Sequence, residues 1–191
     1  MQSPAKIAVR DRLLTSRNRR SVAEIGTAAR AVAEHLLATV DVRRAATVAA
    51  YVSMNGEPGT GPLLDGLRAA GKRVILPVLL PDGDLDWAVY RSPDDLVRAR
   101  LGLLEPVGER LSPDAIATAD VVLVPALAVS ATGMRLGRGG GSYDRALGRV
   151  PVGTFTCALL YDEEVGVDVP VEPHDRPVGW AATPSGVRRL G

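Results

Sequence analysis

Five glycines, Gly133, Gly137, Gly139, Gly140 and Gly141, fall within nine residues, interleaved with Arg135 and Arg138. Several backbone N–H groups can converge on one anion only where Cβ atoms are missing and positive φ is tolerated. Guanidinium groups add planar forks that match phosphate oxygens, and a helix starting near Asp144 would contribute further free N–H groups. The segment from Arg135 to Asp144 (RLGRGGGSYD) is therefore read as a phosphate-holding loop. It lacks the Gly-Lys-Ser/Thr ending of a P-loop and the Gly-x-Gly-x-x-Gly spacing of a dinucleotide site. A flexible surface loop or hairpin tip with solvated arginines would share this composition, so both readings stay open at this point.

A second candidate is cationic. On a helix, Lys6, Arg10 and Arg17 fall within about 40° of one another. Like charges four apart weaken a helix, and cations in a first turn oppose its dipole. An anion to bind would account for both costs, but an ordinary solvated basic face is the plainer reading when the stripe is taken alone. Three carboxylates are also of interest. Glu57 lies in the turn MNGEPGTG, where a glutamate alone reads as solvent-facing. Asp144 doubles as a helix N-cap, and Asp175 could stabilise the turn before Pro177. No acid–base dyad is visible.

These residues need a frame. Ser3-Pro4 has the form of a cap followed by a first-turn proline, and Ser21 with Glu24 forms a capping box ahead of an alanine-rich helix to Leu37. Short apolar runs at Val48–Val52, Val74–Pro77, Leu85–Tyr90 and Val121–Pro125 read as strands, with two more near Gly153–Leu160 and Trp180–Thr183. A helix over Pro62–Ala70 ends at Gly71, and Arg91–Ser112 is polar and irregular. Strands alternating with helices predict a three-layer α/β/α sandwich around a largely parallel sheet, a single domain over 1–191.

Bulk properties narrow the function. A net charge of +1 argues against a general polyanion binder, so no nucleic-acid partner is expected. Cys157 is the lone cysteine, which excludes an intrachain disulfide and a cysteine-based zinc cage. The first twenty residues carry six basic side chains and no apolar stretch, and no segment has the roughly 18 apolar residues of a membrane span. A cytoplasmic protein, probing no membrane, is the expectation.

Four segments in order resemble the 5-formyltetrahydrofolate cyclo-ligase family. They are Lys6-x3-Arg10 with Arg17 beyond it, Tyr51-Val-Ser-Met-Asn-Gly-Glu57-Pro-Gly-Thr60, Arg135-Leu-Gly-Arg-Gly-Gly-Gly-Ser-Tyr-Asp-Arg145, and His174-Asp175 followed by Ala182-Thr183. The resemblance implies a magnesium-dependent enzyme that uses ATP to convert 5-formyltetrahydrofolate to 5,10-methenyltetrahydrofolate, and that acts as a monomer on two small molecules. By this resemblance the ATP site comprises Lys6, Arg10, Arg135, Leu136, Gly137, Arg138, Gly139, Gly140, Gly141, Ser142 and Tyr143. Val52, Glu57 and the loop from Arg138 to Ser142 would contact the folate, Asp144 and Asp175 would hold magnesium, and Arg138, Lys6 and Glu57 would carry the chemistry.

Two positions depart from the family pattern. Ser142 stands where the loop usually has a first tyrosine, and Gly179 where an aspartate usually follows His-Asp-x-Pro-x. Losing an aromatic contact is worth roughly 0.5–1.5 kcal/mol, so a weakened folate site is expected rather than an abolished one. Two rivals are carried forward. One is a sugar-phosphate or nucleotide isomerase of the same fold, with Glu57 or Asp144 as base. The other is a nucleotide-binding regulator that has lost folate turnover.

Overall fold

Pro4 opens the first helix of the computed structural model, which describes residues 4–191; the expected cap at Ser3 lies outside the described residues. This helix, α1 (Pro4–Asn18), is followed by α2 (Val22–Ala38). The capping box forms as expected: Glu24 N–H donates to Ser21 Oγ at 3.2 Å, and Ser21 N–H to Glu24 Oε2 at 2.7 Å. A short α3 (Val40–Arg44) leads into β1 (Thr47–Ala49). That strand is shorter than the apolar run Val48–Val52, because the chain turns out of the sheet after Ala50 and carries Tyr51 and Val52 into a loop. Then come α4 (Gly61–Ala69), β2 (Arg73–Leu79) and β3 (Leu85–Tyr90).

The stretch expected to be irregular, Arg91–Ser112, contains a two-stranded hairpin of β4 (Leu96–Arg98) and β5 (Leu104–Pro106). Next come β6 (Val121–Pro125), β7 (Ala128–Val129), β8 (Arg135–Leu136), α5 (Ser142–Leu147), β9 (Phe155–Leu159) and β10 (Trp180–Thr183). A last strand, β11 (Gly186–Arg189), has no counterpart in the sequence reading.

The main sheet has seven strands in the order β11-β10-β9-β6-β1-β2-β3. Its five inner strands are parallel, and the two edges, β3 and β11, are antiparallel. Alternate side chains explain the continuous apolar runs. Val48, Val121 and Leu123 point to one face and pack with Leu36 of α2 and Leu67 of α4. Ala49, Val122 and Val124 point to the other and pack with Trp87, Ile116 and Leu147 of α5. The three-layer arrangement is present, with a thin second helical layer made of α5 and a 3-10 turn at Pro113–Thr118. Separately, Leu13 of α1 packs with Leu127, Leu136 and Val169.

The start of β3 is clamped from beyond α5. Arg149 donates to both carboxylate oxygens of Asp84, at 3.0 and 2.6 Å. These Arg149 bonds hold the Asp84 carboxyl below its ordinary value of 3.8, against a smaller opposing effect of burial. A depressed carboxyl contributes stability above its unfolded value and loses it as pH falls through the folded one. Asp84→Asn is therefore expected to unfold at lower urea than the parent at pH 7, and the gap should shrink as pH drops below 3.8. Urea midpoints measured across that range check it.

Candidate functional site

The cationic face of α1 turns inward. Lys6, Arg10 and Arg17 are only 3%, 9% and 1% exposed, so the solvated-face reading of the stripe is wrong. Buried cations need partners, and these arrive from far along the chain. Lys6 Nζ donates to Glu172 Oε2 at 2.9 Å and Asp175 Oδ2 at 2.7 Å. Arg10 Nε donates to the Gly137 carbonyl at 2.9 Å. Arg17 donates to both oxygens of Glu164, each at 2.7 Å, and to the Ala126 carbonyl at 2.6 Å. Burial alone would lower the pKa of Lys6, but its bonds to Asp175 and Glu172 outweigh that and raise it. Burial would likewise raise Asp175, yet the Lys6 bond keeps its carboxyl below the ordinary range. Helix α1 is thus pinned to the glycine loop by Arg10 and to the C-terminal segment by Lys6.

The loop itself follows the β7–β8 hairpin, and Arg135 is not solvated. Its Nη2 donates to Asp144 Oδ1 at 2.9 Å and its Nη1 to the Pro125 carbonyl at 3.3 Å. Gly137 makes room for this guanidinium, since a Cβ there would lie 2.7 Å from Arg135 Nη1. Gly141, at φ 69°, caps the start of α5 in the left-handed conformation that glycine adopts cheaply. The helix begins at Ser142, near Asp144 as expected, but Asp144 lies inside it and is not its N-cap. Instead, Asp144 Oδ1 accepts from Arg135 and from the Arg176 N–H at 3.2 Å. Arg138 is the half-exposed cation of the loop, with Nε and Nη2 each 3.3 Å from Glu57 Oε1.

Glu57 does not face solvent: it is 5% exposed. The loop after β1 folds back on itself through reciprocal bonds, Ser53 N–H to Thr60 Oγ1 at 2.9 Å and Thr60 N–H to Ser53 Oγ at 3.0 Å. Inside that fold, Glu57 Oε2 accepts the Met54 N–H at 2.7 Å, which leaves Oε1 for Arg138. At the C-terminal side, Asp175 does stabilise its own turn, accepting the Glu172 N–H at 2.7 Å. Donor atoms of Glu172, His174 and Asp175 lie within 4.8 Å of one another. Glu172 was missed in the sequence, although an acid three residues before Asp175 was there to be seen. Asp144 stands outside this trio and meets it through Arg176, the next residue after Asp175.

Lys6, Arg10, Val52, Glu57, every residue from Arg135 to Asp144, and Asp175 line one cavity of about 1100 Å³. Pockets for a single small ligand run roughly 300–1,000 Å³, so this one has room for two. Its apolar wall comes from Tyr51, Leu85 and the β4–β5 hairpin through Leu101, Leu103 and Leu104. The hairpin escaped sequence reading because its leucines are set among arginines and its tip turns at Leu101 and Gly102, both at positive φ. Ser142 also lines the cavity, at the first position of α5. One side of the space is therefore rich in cations and backbone N–H groups, and the other is apolar around a buried carboxylate.

The family model of the 5-formyltetrahydrofolate cyclo-ligase family matches residues 2–184. The 5-formyltetrahydrofolate cyclo-ligase of Mycolicibacterium smegmatis is 45% identical over 143 residues, covering 72% of this chain and 73% of that relative. The enzyme of the same name from Escherichia coli is 38% identical over 144 residues, covering 74% and 79%. Among solved structures, the 5,10-methenyltetrahydrofolate synthetase of Aquifex aeolicus superimposes with a TM-score of 0.82 at 30% identity, over 97% of this chain and 92% of that one. The synthetase of Mycoplasma pneumoniae, at 19% identity and a TM-score of 0.75, shares the fold.

Proposed function

The chain belongs to the 5-formyltetrahydrofolate cyclo-ligase family, and from that premise we propose that it uses ATP to convert 5-formyltetrahydrofolate into 5,10-methenyltetrahydrofolate, releasing ADP and phosphate. The observation that carries this reading is the single cavity shared by Lys6, Arg10, the Arg135–Asp144 loop, Val52, Glu57 and Asp175. Its cationic half suits a triphosphate, and its apolar half with a buried carboxylate suits a fused heterocycle bearing N–H donors.

The formyl group on nitrogen 5 is an amide with a weakly nucleophilic oxygen. Transfer of the γ-phosphoryl group to that oxygen turns it into a leaving group; nitrogen 10 then attacks the formyl carbon, the ring closes, and phosphate departs. Phosphoryl transfer needs positioning and charge neutralisation more than covalent help from the protein. Lys6, Arg10 and the loop N–H groups from Arg135 to Tyr143 would hold the phosphates. Arg138 would stabilise charge on the transferring group, and Glu57 with Val52 and the residues Arg138 to Ser142 would orient the folate. Arg135 would serve mainly by bracing Asp144 and the loop, since its guanidinium is already committed there. With Ser142 in place of an aromatic, ring packing would fall to Tyr51 and the leucines of the β4–β5 hairpin.

Magnesium fits this chain's donors. Asp175 and Glu172 already hold a cation, the Lys6 ammonium, at 2.7 and 2.9 Å, and carboxylate oxygens are the ligands this ion prefers. Asp144 and Asp175 would hold it, with Glu172 beside them. When bound, the ion would neutralise charge on the β- and γ-phosphates.

Residues 1–191 would act as one catalytic unit, a cytoplasmic monomer with two small-molecule substrates. A net charge of +1 supports the lack of a polyanionic partner, and no helix among the described residues is long and apolar enough to cross a membrane. The test is direct. Protein, ATP, magnesium and 5-formyltetrahydrofolate should generate methenyl product absorbance with one ADP per product. Absence of turnover by the folded protein would sink the proposal.

A further inference from the structure

Five acids line the large cavity, and four of them are paired with cations of the same wall. Glu57 meets Arg138, Asp144 meets Arg135, and Glu172 and Asp175 share Lys6. Glu105 of β5 has no such partner among the described residues, although it is only 8% exposed. Its Oε1 accepts the Leu79 N–H at 2.9 Å, which fixes the carboxylate at the end of β2 beside another cavity residue. Oε2 has no hydrogen-bond partner among the described residues, yet it is not sealed in. The unpartnered side-chain atoms closed off from solvent belong, among the described residues, to Arg17, Arg20, Tyr51, Trp87 and Arg135. The surface left to Oε2 is therefore that of the cavity Glu105 lines. Around it the wall is apolar: Leu79 and its cross-strand partner Leu85, with Leu103 and Leu104 just before it in the chain. A carboxylate enclosed among leucines without a cation is a costly arrangement, and such a group in a folded chain calls for a use.

We propose that Glu105 is a further substrate-binding residue, whose Oε2 accepts a hydrogen bond from an N–H group on the fused heterocycle of the folate. The inference rests on the folate reading given above. An ionised carboxylate only accepts hydrogen bonds, so its ligand must bring a donor and no negative charge. That excludes the triphosphate of ATP and the carboxylates of the folate tail. Two heterocycles remain, and their edges differ. The folate ring sets an amino group beside a ring N–H, two donors side by side, whereas the amino group of adenine is flanked by ring nitrogen lone pairs that a carboxylate repels. The surrounding leucines suit a flat ring better than the hydroxyls of a ribose. Glu57 already has both oxygens engaged, by the Met54 N–H and by Arg138, while Glu105 holds one in reserve.

Glu105→Gln keeps the side chain's size and an oxygen for the Leu79 N–H, and replaces the free carboxylate oxygen with an amide. Calorimetric titration with 5-formyltetrahydrofolate in the absence of ATP should show binding about ten- to a hundredfold weaker than in the parent, the worth of one hydrogen bond to a charged acceptor. Affinity for ATP, titrated separately, should stay unchanged. The urea midpoint of the ligand-free protein should hold or rise, because the variant removes an unpaired charge from an apolar wall. Equal folate affinity in parent and variant overturns the inference. A loss of ATP affinity with folate affinity kept also overturns it, by giving the oxygen to the nucleotide. A lowered midpoint with both affinities reduced together would leave Glu105 as a structural acceptor for Leu79 alone, and overturns it too. Failure of the parent itself to bind folate strikes the functional reading instead, so the two failures are distinguishable.

Discussion

Arg17→Ala is expected to destabilise the protein by about 3–5 kcal/mol, the usual result of stranding one member of a buried ion pair. Glu164 is 2% exposed and has both oxygens on Arg17, so the replacement leaves a carboxylate in the core. It also unpairs the Ala126 carbonyl at the foot of the cavity. A domain of this kind has only about 5–15 kcal/mol to lose. The effect should reach the site as well, because Glu164 Oε2 holds the Tyr161 N–H at 2.9 Å and the Tyr161 hydroxyl donates to the Gly56 carbonyl at 3.2 Å, next to Glu57. Pairing Arg17→Met with Glu164→Leu should recover most of the loss, since an apolar pair often replaces a buried ion pair at little cost. Recovery should be incomplete because Glu164 Oε2 also accepts the Tyr161 N–H at 2.9 Å. Urea midpoints of the single and double variants decide this. A loss under about 1 kcal/mol for Arg17→Ala would assign the pair no structural weight.

The largest effect on turnover is expected from Arg138→Ala, with kcat reduced about 10²–10³-fold, the range seen when one preorganised donor to a developing charge is removed. Arg138 differs from the other cations of the site in its setting. Lys6, Arg10 and Arg135 are buried with short bonds to protein partners, whereas Arg138 is half-exposed and meets Glu57 only at 3.3 Å. It is the cation that can swing to a phosphoryl group at least cost. Calorimetric affinity for ATP should fall much less than kcat, because a transition-state contact is lost rather than ground-state binding. Arg138→Lys should restore little, since an ammonium cannot reproduce the planar fork. Single-turnover rates separate these contributions, and a drop of only about threefold would remove Arg138 from the chemistry.

Much of this was legible in the sequence for local reasons. Val121–Pro125 matched its strand to the residue, and the Ser21–Glu24 box formed as written, because both depend on neighbours a few positions away. The glycine loop was also legible, since positive φ and close approach leave a compositional mark. What failed did so through distance. The basic face of α1 looked solvated because its neutralising partners, Glu164, Glu172 and Asp175, lie 147 to 169 residues further along. Glu57 looked exposed because the Ser53–Thr60 staple and the Arg138 contact that enclose it leave no local signal. The edge strand β11 was missed because its sequence, GVRR, carries the charges that discourage further pairing at a sheet margin.

The pins of α1 also bear on the order in which the molecule is built. Arg17 and Lys6 close circuits of 147 and 166 to 169 residues, and contacts of that span are late to form. The hairpin β2–β3 and the parallel neighbours β6 and β9 can pair within far shorter stretches of chain. During synthesis the first helix leaves the ribosome earliest, yet its cations meet their carboxylates only when residues 164–175 have followed. Until then Lys6 and Arg17 lack their carboxylates, and of the pins described only the Arg10 bond to the Gly137 carbonyl can hold the helix to the glycine loop. Competence thus waits on the last part of the chain, and one interrupted before Glu164 would hold the glycine loop and Glu57 but neither the carboxylates that pin α1 nor Asp175.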